Sequence, residues 1–347
     1  MTDISESQMQ TPVSEDSFPI AEEAKQKAAD VARRVPAFPQ LVVAVGILVF
    51  VFGVTYIPDM FGAAGSKVKN NEPLQSVEGN TTLSGDPFDE IALEARAAYI
   101  WDVKEQRAIY NLNADQKLPL ASLAKLMTTL VAYELLDRNA DVRITVDAVR
   151  QDGDRGLSDG ERFSLQDLTD LTLLTSSNDG AYALAATAAG TFSATNSARA
   201  FVDAMNLRAE ELGLTQTHFN NTTGLDISEL ESGAYGTARD ISFLMEYLIT
   251  KNPAIVELTR EGNIRIANTS GETHEVENTN KALSAISGLL ASKTGYTTLA
   301  GGNLIVAFDV GLNHPIVATI LGSSYDGRFS DMVKLVEATR RQYGAGF

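Results

Sequence analysis

A serine and a lysine stand three residues apart, Ser122 and Lys125, inside the otherwise apolar stretch ASLAKLMTTL. On a helix, side chains at i and i+3 are neighbours. A serine hydroxyl is a weak nucleophile until a base is held against it. Lysine can be that base when burial or a nearby cation lowers its pKa. The pair alone carries little weight. S-x-x-K recurs at Ser66 and Lys69 within a polar stretch, and a lone helix lysine is ordinarily solvated.

Two further clusters follow in order. SSN, Ser176 to Asn178, is the only S-x-N of the chain, and it falls where two helical stretches meet. By itself it reads as helix capping, for which Ser and Asn are favoured. KTG, Lys293 to Gly295, lies at what reads as the start of a strand. By itself it is an ordinary turn. The order S-x-x-K, S-x-N, K-T-G is far more specific than any member. Its separations, 54 residues from 122 to 176 and 117 from 176 to 293, suit elements that converge on one cleft. Other chemistries are narrowed by composition. There is no cysteine, which excludes thiolate catalysis, disulfides and cysteine zinc sites. The three histidines, His218, His274 and His314, lack H-x-x-x-H spacing, so no zincin-type site is expected and no metal or cofactor is implied. The net charge is −17 and no Lys/Arg cluster stands out, so no nucleic-acid partner is expected.

The elements that must position these residues begin near Asp89. AAYIWDV and AIYNLN flank KEQR and predict a β-hairpin. A helix is expected from Ser122 to about Leu136. Two helical stretches are expected on either side of SSND, and amphipathic helices over ARAFVDAMNLRAEELG and ARDISFLMEYLITK. The end of the chain alternates strands, GNLIVAFDV and HPIVATILGS, with a helix over FSDMVKLVEATRRQY. Helices interleaved with strands imply an α/β or α+β domain over residues 89–347. Residues 1–40 are polar and acidic, a tail with too little apolar surface to fold alone. Leu41 to Ile57 carry no charge and would span about 26 Å as a helix, close to a bilayer core. Residues 41–61 therefore read as a transmembrane signal-anchor. A buried core helix and a cleaved signal peptide, with GAA at Gly62–Ala64 as its weak cleavage site, are the rivals. Lys25, Lys27, Arg33 and Arg34 put the N-terminal side in the cytoplasm, a bias that Lys67 and Lys69 weaken without cancelling. Residues 62–88, rich in Gly, Ser, Asn and Pro, read as a flexible linker.

The ordered motif set resembles the penicillin-recognising serine enzymes. The text around it, AAYIWDVKEQRAIYNLNADQKLPLASLAKLMT, FVDAMNLRAEELGLTQTHFNNTTGLD, GTARDISFLMEYLI and ENTNKAL, is similar to the D-alanyl-D-alanine carboxypeptidase family, the low-molecular-weight penicillin-binding proteins, over about residues 90–340. The resemblance implies a β-lactamase/transpeptidase-like fold: an antiparallel sheet flanked by helices, with a helical subdomain. It implies Ser122 as nucleophile towards peptidoglycan stem peptides and Lys125 as its general base. Ser176 would relay a proton to the leaving amine, and Asn178 would orient either the substrate amide or Lys125. Lys293 would add positive potential and Thr294 would hold the terminal carboxylate. Gly295 would let the substrate lie against the strand. The backbone N–H groups of Ser122 and Tyr296 would form the oxyanion hole, and Arg328 would supply a second carboxylate contact. β-Lactams would be covalent inhibitors. The sequence departs from the family pattern at Ser177, where many members have glycine, and at Thr222, where the family's loop has proline, a change expected to loosen the loop. Familiar members also carry a further small β-domain and a C-terminal amphipathic anchor; the N-terminal span would replace that anchor here. The expected activity is that of a D,D-carboxypeptidase at the cell membrane, facing out of the cytoplasm. A serine β-lactamase is the alternative enzyme, with Glu210 and Glu211 as the nearest glutamates downstream of S-x-N. An inactive peptidoglycan-binding module is the non-enzyme alternative.

Overall fold

Strands β1 (Ala97–Asp102) and β2 (Arg107–Leu112) form the expected hairpin. After the short β3 (Leu118–Pro119) comes a 3₁₀ turn, Ala121–Ala124, and only then helix α1 (Lys125–Leu135). The helix expected from Ser122 is thus a 3₁₀ turn at its start. A minor pair, β4 (Asp141–Arg143) and β5 (Arg162–Ser164), encloses the single-turn α2 (Val146–Val149). Helices α3 (Leu165–Thr175), α4 (Asn178–Ala189) and α5 (Ser197–Glu211) follow. The short β6 (His218–Phe219) and β7 (Ala234–Gly236) precede α6 (Ala238–Lys251). A second hairpin, β8 (Asn263–Ala267) and β9 (Thr273–Glu277), leads to β10 (Leu289–Thr297), β11 (Gly301–Asp309), β12 (Pro315–Ser323) and the last helix α7 (Gly327–Gln342). This computed structural model describes residues 86–153, 156–191 and 197–344. The tail (1–40), the span (41–61) and all but the last three linker residues lie outside the described residues. Among the described residues no helix is long and apolar enough to cross a membrane. Phe88, assigned above to the linker, is buried and stacks on Tyr110 with ring centroids 5.2 Å apart.

The principal sheet has five antiparallel strands in the order β10-β11-β12-β1-β2. Its apolar runs are buried on both faces, because alternate residues of a strand point to opposite sides. Leu304, Val306 and Phe308 of β11 pack with Phe329, Met332 and Leu335 of α7. Ile305 and Ala307 point the other way, into the larger core shared with Ile241, Leu244 and Met245 of α6 and with α1, α3 and α4. β10 is an outer strand of this sheet, and the 3₁₀ turn packs against it. The catalytic-type motifs therefore meet where the sheet edge faces the helical part of the fold.

Helix starts follow the polar caps. Ser164 accepts from the backbone N–H of Asp167 at 3.1 Å, and Thr237 from that of Asp240 at 3.1 Å. Each satisfies an N–H that the helix itself leaves open, which is why Ser and Thr stand at those positions.

Candidate active site

Ser122 is the second residue of the 3₁₀ turn, in which i and i+3 side chains eclipse. Lys125 follows as the first residue of α1, and its side chain is fully buried. Its Nζ lies 2.9 Å from Ser122 Oγ, 2.7 Å from Asn178 Oδ1 and 2.8 Å from the Thr223 carbonyl. Two of these neighbours are pure acceptors. They fix two N–H directions and turn the remaining tetrahedral position of the nitrogen towards the serine. With the amine neutral, that position holds the lone pair able to take the Ser122 proton. Asn178 thus contacts Lys125 directly, as one of the two roles implied by the resemblance would require. Its Nδ2 donates to the Asp152 carbonyl at 2.5 Å, which settles which end of the amide faces the lysine.

The SSN corner divides its labour by residue. Ser176 ends α3 in the left-handed region at φ 62°, a conformation that costs a non-glycine residue about 1 kcal/mol or more. That turn sends its hydroxyl to Lys293, whose Nζ donates to Ser176 Oγ at 2.8 Å and to the Thr294 carbonyl at 2.8 Å. Ser177 caps α4, its Oγ accepting from Gly180 N at 3.0 Å. The capping account therefore belongs to Ser177 alone. Ser176 and Asn178, on either side, carry the cleft contacts.

KTG lies inside β10, not at its start, because the strand begins four residues before Lys293. Gly295 has a reason that the sequence did not disclose. A Cβ there would sit 3.0 Å from the Leu120 carbonyl, 3.2 Å from Ser122 N and 3.3 Å from Ala121 Cβ. The strand and the Ser122 turn are so close that a side chain there would have to push them apart by a few tenths of an ångström. The crowding comes from the protein itself rather than only from a substrate. A second close approach holds the other side of the turn. Gly224, at φ 79°, would put a Cβ 1.9 Å from the Ala121 carbonyl, and Ala121 itself is held at φ 48°.

Thr294 is buried, and its Oγ1 lies 2.6 Å from Thr279 Oγ1. Tyr296 is half exposed and meets Tyr325 edge to face at 5.0 Å. Arg328 is buried at the same strand. Its Nη1 donates to the Gly295 carbonyl at 2.6 Å, and its guanidinium stands 4.6 Å from the Tyr325 ring. Burial pulls this guanidinium below its ordinary pKa, against the opposing pull of the nearby Tyr325, Asp326 and Tyr296. All nine residues read from the sequence are thereby brought to one region, with Arg328 committed in part to the strand backbone.

Several contributors had no motif to announce them. Thr223 enters through its carbonyl, which any residue type could provide. Its loop is tied by Asn221, whose Oδ1 accepts from Gly224 N at 2.8 Å and whose Nδ2 donates to Leu225 O at 2.9 Å. Thr222, where the family has proline, presents its carbonyl to Thr128 Oγ1 at 2.7 Å. Asp226 joins this loop to the end of β10, accepting from Thr297 Oγ1 at 2.9 Å and from Leu299 N at 3.1 Å. Glu210 and Glu211, the acids a class A β-lactamase reading would need, are exposed on α5, and Glu211 pairs with Arg208 at 2.9 Å.

The family described as D-alanyl-D-alanine carboxypeptidase matches residues 82–324. The chain is 29% identical to D-alanyl-D-alanine carboxypeptidase DacF of Bacillus subtilis over 266 residues, covering 75% of this chain and 65% of that one. It is 30% identical to DacC of Escherichia coli over 260 residues, covering 71% and 61%. The chain thus spans a little under two thirds of the length of these relatives. Among solved structures, a DD-transpeptidase of Streptomyces superposes with a TM-score of 0.65 at 25% identity, over 72% of this chain and 98% of that one. A penicillin-binding protein of Listeria monocytogenes with cefotaxime bound gives 0.60 at 29%, over the same 72% and 98%. With its mixed α/β architecture, its antiparallel sheet and its three motifs gathered at one sheet edge, the chain belongs to the D-alanyl-D-alanine carboxypeptidase family.

Proposed function

We propose that this protein is a serine D-alanyl-D-alanine carboxypeptidase. It would release the terminal D-alanine of peptidoglycan stem peptides through an acyl-enzyme on Ser122. The observation that carries the reading is Lys125 Nζ, 2.9 Å from Ser122 Oγ and held there by Asn178 and the Thr223 carbonyl. Lys125 takes the hydroxyl proton as Ser122 Oγ attacks the penultimate D-alanine carbonyl. The oxyanion then forms between the backbone N–H groups of Ser122 and Tyr296. Loss of one such donor costs about 2.7–4 kcal/mol in activation free energy. Ser176, held by Lys293, passes a proton to the departing amine, which leaves as D-alanine. Water then frees the acyl group from Ser122. Thr294 binds the terminal carboxylate, with Arg328 as a second contact to it. β-Lactams acylate the same serine and are held there.

Incubation with benzylpenicillin followed by mass spectrometry tests the assignment. One penicilloyl adduct on the Ser122 peptide is expected, with none on Ser122→Ala. Rapid turnover of the drug with no trapped adduct would favour the β-lactamase reading. An unchanged rate of D-alanine release by Ser122→Ala would sink the mechanism.

The N-terminal region carries a second part of the reading. Residues 41–61 anchor the protein in the bacterial cell membrane as a single span, with 1–40 in the cytoplasm and the enzyme outside. The uncharged run from Leu41 to Ile57 and the preceding basic residues support this orientation. The chain has no cysteine, so a Ser66→Cys variant offers a unique probe. Labelling of intact cells by a membrane-impermeant maleimide is expected. A protein recovered in the soluble fraction would refute the anchor.

A further inference from the structure

Thr279 lies on the segment between β9 and β10, outside the three motifs, yet it joins two of them. Its backbone N–H donates to the carbonyl of Leu174, two residues before the SSN corner, at 3.1 Å. Its Oγ1 lies 2.6 Å from Thr294 Oγ1 and 3.2 Å from the same Leu174 carbonyl. The segment is pinned independently. Asn278 Nδ2 donates to the Thr259 and Glu261 carbonyls, each at 2.8 Å. The hydroxyl of Thr279 is therefore not what keeps the residue in place.

Each of the two threonine hydroxyls has one proton to give. In one arrangement Thr294 donates to Thr279, and Thr279 donates to the Leu174 carbonyl. Both protons are then spent inside the protein. In the other, Thr279 donates to Thr294, and the Thr294 proton is released for an outside acceptor. The exchange gives up only the long 3.2 Å contact, and the Leu174 carbonyl keeps its bond from Thr279 N–H. An anion beside Thr294 favours the second arrangement, because donors in series polarise one another.

We propose that Thr279 is a positioning residue for carboxylate recognition: its hydroxyl turns the Thr294 proton towards the terminal carboxylate of the substrate. This rests on the reading above that Thr294 binds that carboxylate. It makes Thr279 a specificity determinant that favours substrates ending in a free acid over those ending in an ester or amide.

The experiment compares acylation of the full-length protein by benzylpenicillin and by its methyl ester, which lacks the negative charge. Second-order rate constants come from the mass of the adduct over time. Thr279→Val keeps the shape and removes the hydroxyl. It is expected to lower the acid-to-ester preference about threefold to tenfold, within the range for a hydrogen bond between two neutral groups. Thr279→Ser is expected to restore the wild-type preference. Thr294→Val, which removes the donor itself, is expected to lower the preference at least as far. If Thr279→Val slows both reagents equally, or changes neither, Thr279 is merely structural and the proposal fails. If Thr294→Val leaves the preference intact, the carboxylate reading of Thr294 is what fails. Thermal melting of each variant separates these outcomes from loss of fold.

Discussion

Lys125 occupies a position at which a cation would ordinarily be costly. Its side chain is fully buried, and its nitrogen is met by a hydroxyl, an amide oxygen and a peptide carbonyl. Lys125→Met fills similar volume without the nitrogen. It is expected to lower the acylation rate by about 10²–10⁴, the usual contribution of a positioned base, while circular dichroism stays that of the parent. Gly295 yields a prediction of another kind. Its missing Cβ is what lets β10 approach Leu120 and Ser122. Gly295→Ala must push strand and turn apart by a few tenths of an ångström. It should destabilise the fold by about 1–3 kcal/mol, the usual range for overpacking. Acylation should fall further than stability does, since the displaced group is Ser122, the proposed nucleophile. A variant acylated at the parental rate would show that the turn yields without cost.

At the scale of elements, the join between α3 and α4 carries two functions in three residues. A helix needs its first N–H groups satisfied, and the residue best placed to do so is the one before it. Ser177 does this, buried between two residues that face the cleft. Glycine, common at this point in the family, is itself an acceptable cap. Ser177→Gly should therefore cost only a few tenths of a kcal/mol and leave acylation unchanged, whereas Ser177→Ala should cost about 1 kcal/mol. Denaturant unfolding of the two variants distinguishes capping from a chemical role, since a chemical role would show as lost acylation in both. The loop carrying Thr223 makes the complementary point. Gly224 stands where a Cβ would overlap the Ala121 carbonyl, at a φ that glycine alone adopts freely. Gly224→Ala is expected to prevent soluble expression, or to lower the melting temperature by many degrees.

At the scale of the whole molecule, two buried carboxylates make stability depend on pH in opposite ways. Burial pushes Asp170 up to about 7, in spite of the hydrogen bond from Gln166, with Asp167 and Glu257 adding to the rise. The folded state thus holds a proton that the unfolded chain releases at ordinary carboxylate pH. Stability from this group falls as pH rises from about 4 to about 7, then levels off. Asp170→Asn should remove that slope, so its gain in melting temperature over the parent should grow across this window. An equal gain at pH 4 and pH 8 would contradict the assignment. Asp102 behaves in the reverse sense. Burial alone would raise it, but bonds from Tyr343, from Glu105 N–H and from His314 together hold it below the usual range. Its contribution is complete above ordinary carboxylate pH and is lost as pH falls through its lower folded value.

Much of this protein could be read before any coordinate. The hairpin at KEQR, the helices on either side of SSND, and the helices over ARDISFLMEYLITK and FSDMVKLVEATRRQY lie where periodicity and turn residues put them. Local preferences determine such elements, because propensity, capping and the alternation of apolar residues act within a few positions. The three motifs in their order pointed to the penicillin-recognising serine enzymes, since each chemical role needs a particular side chain, and the text around them pointed to the D-alanyl-D-alanine carboxypeptidase family. The remainder was decided by the tertiary structure. Lys125 finds its third partner in the Thr223 carbonyl, 98 residues further along, and a peptide carbonyl leaves no trace in residue type. Ser122 stands on a 3₁₀ turn because β10 and the Gly224 loop press on it from two sides. Gly295 is a glycine for the sake of that contact, and Thr279 meets Thr294 only because the chain folds back between β9 and β10. The sequence by itself determined which groups could react. Long-range packing decided which of them face one another, because distance in the fold is set by contacts that no local pattern encodes.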